Sequence, residues 1–182
     1  MHERFYTSPK YISKKIDHDI PVVFLAGPVQ GAPDWQARFA RTILSSRPDI
    51  VVASPRPKLA IGADFDADKQ VAWEIAHRAR AREFGVTAIW FAAQDFAIPY
   101  PDGRPYAQTT RIELGETVGW LRARPNLALS VGFDPSYTSN GGGSEGYIRR
   151  LLAYHQRDVH DSEDTFIQSI LEKLPRLATR LL

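Results

Sequence analysis

Four short, continuously apolar runs recur along the chain, each closed by a turn and followed by a helical pattern, and this alternation constrains the fold most. Pro21-Val-Val-Phe-Leu-Ala26 ends at Gly27-Pro28, and Ile50-Val-Val-Ala53 ends at Ser54-Pro55-Arg56-Pro57. Val86-Thr-Ala-Ile-Trp-Phe91 and Leu127-Ala-Leu-Ser-Val131 are the other two. Runs this short, without polar alternation, suit strands buried on both faces of a parallel sheet. The intervening stretches carry helical spacing. Pro33, at a first helical position with Asp34 beside it, starts a helix through about Ser46, with Trp35, Phe39 and Ile43 spaced four apart. A second runs from about Ala67 to Phe84, with Val71, Ile75 and Ala79 read as its apolar stripe. Others cover Thr109–Ala123, the neighbourhood of Glu145–His155, and the stretch after Asp161-Ser162 that carries Phe166, Ile170, Leu171 and Leu174. Asp158-Val159-His160 reads as a short edge strand.

Strands alternating with helices predict an α/β fold: a single-domain, doubly wound parallel sheet of four to five strands in a three-layer sandwich. The domain spans 21–182, and residues 1–20, with Phe5, Tyr6 and Tyr11 among Lys and His, read as an N-terminal arm. At 182 residues the chain is long enough for one full core. A net charge of +2 without a Lys/Arg block argues against a nucleic-acid polymer or a membrane surface as partner. No apolar run reaches membrane-spanning length and no signal peptide is apparent, so the expected location is cytoplasmic. With no cysteine there is no thiolate chemistry, and the five histidines show no metal-ligand spacing, so no metal site is expected.

Ligands of such sheets bind outside the carboxyl ends of the strands, where strand order switches. Three loops converge there: Gly27–Ala32, Ala92–Gln108 and Gly132–Ser144, the last with Asn140 and three glycines and read as mobile. The second is unusually long for a compact domain, a property of lids and binding loops. It leads into Thr109-Thr-Arg-Ile-Glu113, and two readings of that motif stand open. Thr110-x-x-Glu113 has the form of a capping box, in which the carboxylate only satisfies a backbone N–H. Alternatively Glu113, ionised near the positive end of the helix dipole, is a nucleophile facing the sheet's mouth. Glu116 is close enough to repel it. Gln70-Val-Ala-Trp-Glu74 supplies a second carboxylate and an aromatic. Trp73 and Glu74 fall off the supposed stripe, as a base-stacking and polar-contact pair, or Glu74 is a solvated partner of Arg78 at i+4. Gly141–Gly143 lack the Lys and Ser/Thr of a phosphate-binding loop, and Gly27-Pro28-x-x-Gly31 is not a dinucleotide fingerprint.

Four motifs recur in order: Phe24-Leu-Ala-Gly-Pro28, Gln70-Val-Ala-Trp-Glu74, Ile89-Trp-Phe91 and Thr109-Thr-Arg-Ile-Glu-Leu-Gly115. Together, over roughly residues 21–152, the chain resembles the nucleoside 2-deoxyribosyltransferase family, in particular its divergent branch. The resemblance implies a flavodoxin-like sheet, a cofactor-free enzyme, a homo-oligomer, and nucleoside or nucleotide and free nucleobase as partners. It implies Glu113 as the nucleophile at C1′, Glu74 as the group that holds or protonates the departing base, and Gly27 and Pro28 lining the sugar pocket. Trp73 and Trp90 would wall the pocket, with Thr109 and Thr110 beside the nucleophile. The better-known branch places an aspartate shortly before the nucleophile. Here Gln108, Thr109 and Thr110 stand nearest, and the closest upstream acid is Asp102. Three outcomes remain open: sugar transfer to another base, hydrolysis, or a nucleotide-binding module without catalysis.

Overall fold

The apolar runs become neighbouring strands of one sheet in a computed structural model that describes residues 3–12, 19–57, 65–138 and 144–176. The strands are β1 (Phe5–Thr7), β2 (Val22–Ala26), β3 (Val51–Ser54), β4 (Gly85–Phe91), β5 (Leu129–Phe133) and β6 (Val159–His160). The helices are α1 (Trp35–Ser46), α2 (Ala67–Glu83), α3 (Gln108–Leu121), α4 (Ser144–Tyr154) and α5 (Glu163–Lys173). The sheet order is β1-β3-β2-β4-β5-β6, and every pairing is parallel. Without β1, this is the flavodoxin-like order, with its switch point between β2 and β4.

The sheet has six strands rather than four to five because part of the N-terminal arm joins it. Phe5 lies opposite Val52 and Thr7 opposite Ser54, so β1 covers the outer edge of β3. Three residues on a sheet edge, two half-buried and the buried one a threonine, have too little apolar pattern to announce a strand. The arm then crosses α2. The Trp73 indole N–H donates to the Lys10 carbonyl at 3.0 Å, and the Ile12 N–H donates to His77 Nε2 at 3.3 Å.

Helices α1 and α5 pack on one face of the sheet, and α2 and α3 on the other. On the first face the Trp90 ring lies 5.4 Å from Phe39 and 5.0 Å from Phe166. On the second, Phe24 meets Trp73 at 6.3 Å and Phe91 stacks on Phe133 at 4.5 Å. The α1 boundary is set by Asp34, whose side chain accepts from the Ala37 N–H; Pro33 lies just outside the helix.

Helix α2 presents a different face from the one its spacing suggests. Val71 and Ile75 are half exposed, whereas Trp73, His77, Arg78 and Ala81 are buried. The helix buries polar groups that find partners in the arm and in α3, so simple hydrophobic periodicity misplaces it. Of the loop expected to be mobile, 139–143 lie outside the described residues. No helix among the described residues is long and apolar enough to cross a membrane.

Candidate active site

The Gly27-Pro28 turn is the first part of the site to be fixed. Gly27 has φ +152°, and a Cβ there would stand 2.3 Å from the Trp90 carbonyl oxygen and 2.5 Å from the Trp35 ring. Only glycine fits so close an approach. The Pro28 carbonyl is then held by α1, accepting from Trp35 Nε1 at 3.0 Å and Gln36 Nε2 at 3.3 Å. Arg56, after β3, donates to Gln36 Oε1 at 2.9 Å and to the Ala32 and Pro33 carbonyls. The turns after β2 and β3 are thereby tied to each other.

The long connection after β4 is ordered by its tyrosines. The Tyr106 hydroxyl donates to the Ala92 and Ala93 carbonyls, both at 3.1 Å, which closes the loop on its own start. Burial raises the Tyr106 hydroxyl's pKa, so it stays a donor. Tyr100 packs on Gly31, where a Cβ would meet its ring at 2.8 Å, and Arg104 Nη1 donates to Gln30 Oε1 at 2.8 Å. Arg111 on α3 secures the loop's end, donating to the Tyr106 carbonyl at 2.6 Å and to the Tyr137 hydroxyl at 2.9 Å.

These turns enclose a pocket of about 320 Å³ at the carboxyl ends of β2, β3 and β4. Its walls are Gly27–Gln30, then Pro55, Pro57 and Phe65, then Ala67, Gln70, Val71 and Glu74 of α2. Tyr100, Arg104, Ala107, Gln108, Thr109 and Glu113 complete it. The volume is at the lower end of the range for small-molecule sites, roughly 300–1,000 Å³. Among the described residues, the loop after β3 lines the pocket and the loop after β5 does not.

Glu113 reaches this pocket from a buried position, 9% exposed. It is not part of a capping box. Helix α3 begins at Gln108, and its N-cap, Ala107, adopts φ +57° without a side-chain cap. Thr110 therefore lies inside the helix, fully buried, and its hydroxyl has no partner among the described residues. Glu113 instead accepts from Arg78 Nη1 of α2 at 2.8 Å. Burial, and then the charge of Glu74, push its carboxyl up to about 7, against the pull of Arg78. Because α3 starts at Gln108, Glu113 lies beyond the first turn in which it was expected and beyond the reach of the helix dipole, and desolvation dominates.

Glu74 accepts from Gln70 Nε2 at 2.8 Å, and the same amide donates to the Pro55 carbonyl at 2.8 Å. Burial raises the Glu74 pKa, while the Gln70 hydrogen bond and Arg78 lower it. Arg78 is not its exposed surface partner: the guanidinium is buried and donates to Glu113. The Glu74 charge is the second cause of the rise at Glu113, so an ionised Glu74 favours the protonated form of Glu113.

Of the residues singled out in the sequence, Gly27, Pro28, Glu74, Thr109 and Glu113 line the pocket. Trp73, Trp90 and Thr110 do not. Trp73 and Trp90 are fully buried in the core, on opposite faces of the sheet, because their large apolar rings are worth more there than at a wet wall. Arg78, Tyr100 and Arg104 went unseen as site residues. Gln70 stood in a quoted motif, and its i+4 relation to Glu74 was the available signal. Among the described residues, no group of three or more His, Cys, Asp or Glu is placed to hold a metal ion. No protein-family model matches the chain, and no curated protein matches it.

Proposed function

We propose that this protein cleaves the N-glycosidic bond of a deoxynucleoside or related nucleoside and passes the sugar to another nucleobase. The observation that carries the reading is the buried Glu113, gripped by Arg78 and sharing a pocket with a second carboxylate, Glu74. Double displacement at an anomeric carbon needs such a pair: one carboxylate as nucleophile, another group to manage the proton. Below about 7 the resting proton sits on Glu113; in the reactive form it sits on Glu74, and Glu113 is ionised against Arg78. A Glu113 carboxylate oxygen bonds to C1′ as the C1′–N bond breaks. The bonding electrons leave with the base nitrogen, and the Glu74 proton neutralises the base. A second base then attacks C1′, the ester bond to Glu113 breaks, and the proton lost by the incoming base returns to Glu74. Two inversions retain the configuration at C1′.

Incubation with deoxynucleosides and nucleoside monophosphates, with and without a free acceptor base, tests the reading. New nucleoside formed only with acceptor is the expected outcome. Base release that ignores the acceptor would make the protein a hydrolase, with water taking the acceptor's place. A 2-fluoro sugar analogue should leave a mass adduct on Glu113. Binding without adduct or base release would reduce the pocket to a nucleotide-binding module. Glu113→Gln should cost several orders of magnitude in turnover.

A further inference from the structure

The crevice between α2 and α3 holds a row of charges that begins at the pocket and ends at the surface. Arg78 has both terminal nitrogens committed: Nη1 donates to Glu113 Oε1 at 2.8 Å, and Nη2 pairs with Glu116 Oε2 at 2.9 Å. Its Nε has no hydrogen-bond partner among the described residues, so its hold rests on those two ends. Arg82, one turn further along α2, donates to the other Glu116 oxygen at 3.1 Å and lies over the Trp120 ring at 4.8 Å. The Arg78 and Glu113 side chains are 9% and 11% exposed, whereas that of Glu116 is 40% exposed. A guanidinium is a rigid planar fork, so the two carboxylates it bridges are not independent: a tilt toward one loosens the other.

We infer that Arg78 is a positioning residue for Glu113, and that Glu116, by competing for the same guanidinium, governs how firmly Glu113 is held. The geometry stands without any assumed reaction; the consequence for turnover rests on the nucleophile assigned to Glu113 above. The other charged side chains lining its pocket are Glu74 from α2, whose charge acts on it, and Arg104 of the loop after β4, which donates to Gln30. Strands β2 and β4, beneath it, carry no charged residue. Glu116 adds to the upward push on the Glu113 carboxyl, and Arg78 opposes it. Their removal therefore has opposite effects. A Glu116 that acted on Glu113 only through space would shift its titration equally with or without the guanidinium fork. The Glu116→Gln shift should therefore shrink on an Arg78→Lys background, and an equal shift in both backgrounds overturns the competition.

The test follows the Glu113 carboxyl carbon by NMR across pH in wild type, Arg78→Met and Glu116→Gln, the resonance being assigned by its loss in Glu113→Gln. Glu116→Gln should lower the Glu113 midpoint. Arg78→Met should raise it, by about one to three pH units for loss of an adjacent opposite charge. The acid limb of kcat/KM for a deoxynucleoside should move with each midpoint, and Arg78→Lys, a point charge without the fork, should recover only part of the shift. Where Arg78→Met does not fold, Glu116→Gln carries the test, since Glu116 lies on the exposed side of the crevice. A midpoint unmoved or raised in Glu116→Gln overturns the inference. Midpoints that move as stated, without nucleoside turnover in any protein including wild type, support the hold on Glu113 and reject the proposed reaction instead.

Discussion

Arg78 of α2 and Glu113 of α3, thirty-five residues apart in the chain, meet at 2.8 Å in a place nearly closed to water. Removing one partner of such a pair leaves a buried charge uncompensated, which is far more damaging than the pair is stabilising. The ion pair is thus weak evidence for stability and better evidence for a carboxylate held ready in a pocket.

Glu113 makes stability depend on pH. Its folded-state value, about 7, lies above its ordinary 4.5, so the native protein binds an extra proton between the two. Its contribution is fully present below the lower value and is lost as pH rises through the higher. At about 1.4 kcal/mol per pH unit of displacement, the loss is at most about 3 to 4 kcal/mol. Glu113→Gln, neutral throughout, should flatten this decline in urea-unfolding free energies measured from about pH 4 to about pH 8. Parallel profiles in the two proteins would contradict the assignment.

Glu74→Gln should act on Glu113 at a distance. Removing the Glu74 charge takes away the second-largest cause of the upward push. The Glu113 carboxyl midpoint, read by NMR, should fall toward the ordinary carboxylate range. A midpoint left near 7 would show that Glu74 exerts no such push.

Gly27→Ala and Gly103→Ala separate crowding from backbone conformation. Both glycines have positive φ, but a Cβ at Gly103 meets nothing within 4 Å, whereas at Gly27 it collides with the Trp90 backbone and the Trp35 ring. Gly103→Ala should cost about 1 kcal/mol, and Gly27→Ala distinctly more, of order 3 kcal/mol or above. Thermal melts of the pair would show it, and equal losses would refute the close approach at the pocket turn.

His77 ties the N-terminal arm to α2 in one protonation state only. Nδ1 faces the Trp73 carbonyl at 2.7 Å and so carries the proton, leaving Nε2 to accept from the Ile12 N–H. Burial first, and the Arg80 charge, lower its pKa below the ordinary 6.5, against the Trp73 hydrogen bond. The unfolded chain therefore takes up the proton first, and the arm's hold is lost as pH falls below that value. The protection factor of the Ile12 amide should drop on acidification in wild type. A protection factor that stays constant as His77 titrates would disprove the link.

Much of the fold was legible in the sequence. The run Val22–Ala26 suited a strand buried on both faces, and all of its residues are fully buried in β2. Ser162 announced the start of α5 through an oxygen that can accept a first-turn N–H, and it does so; at α1 the cap is Asp34, one residue beyond the Pro33 expected to open the helix. The edge strand Phe5–Thr7 was illegible because its pairing comes from β3, far along the chain.

Helix α2 was misread for a related reason. Val71 and Ile75 fall at helical spacing yet half face solvent, while His77 and Arg78 are buried because the arm and α3 bring them partners. Spacing reports which residues share a face of a helix, a local property of backbone geometry; it does not report which face is covered. By itself the sequence determined the alternation of buried strands and helices, and with it a pocket at the strands' carboxyl ends near Glu113. Only the tertiary structure decided that Arg78 would reach Glu113, that Thr110 would be buried instead of capping a helix, and that two tryptophans expected at the pocket would fill the core. Each depends on what distant segments place beside a side chain, and burial and long-range charge exist only once those segments meet.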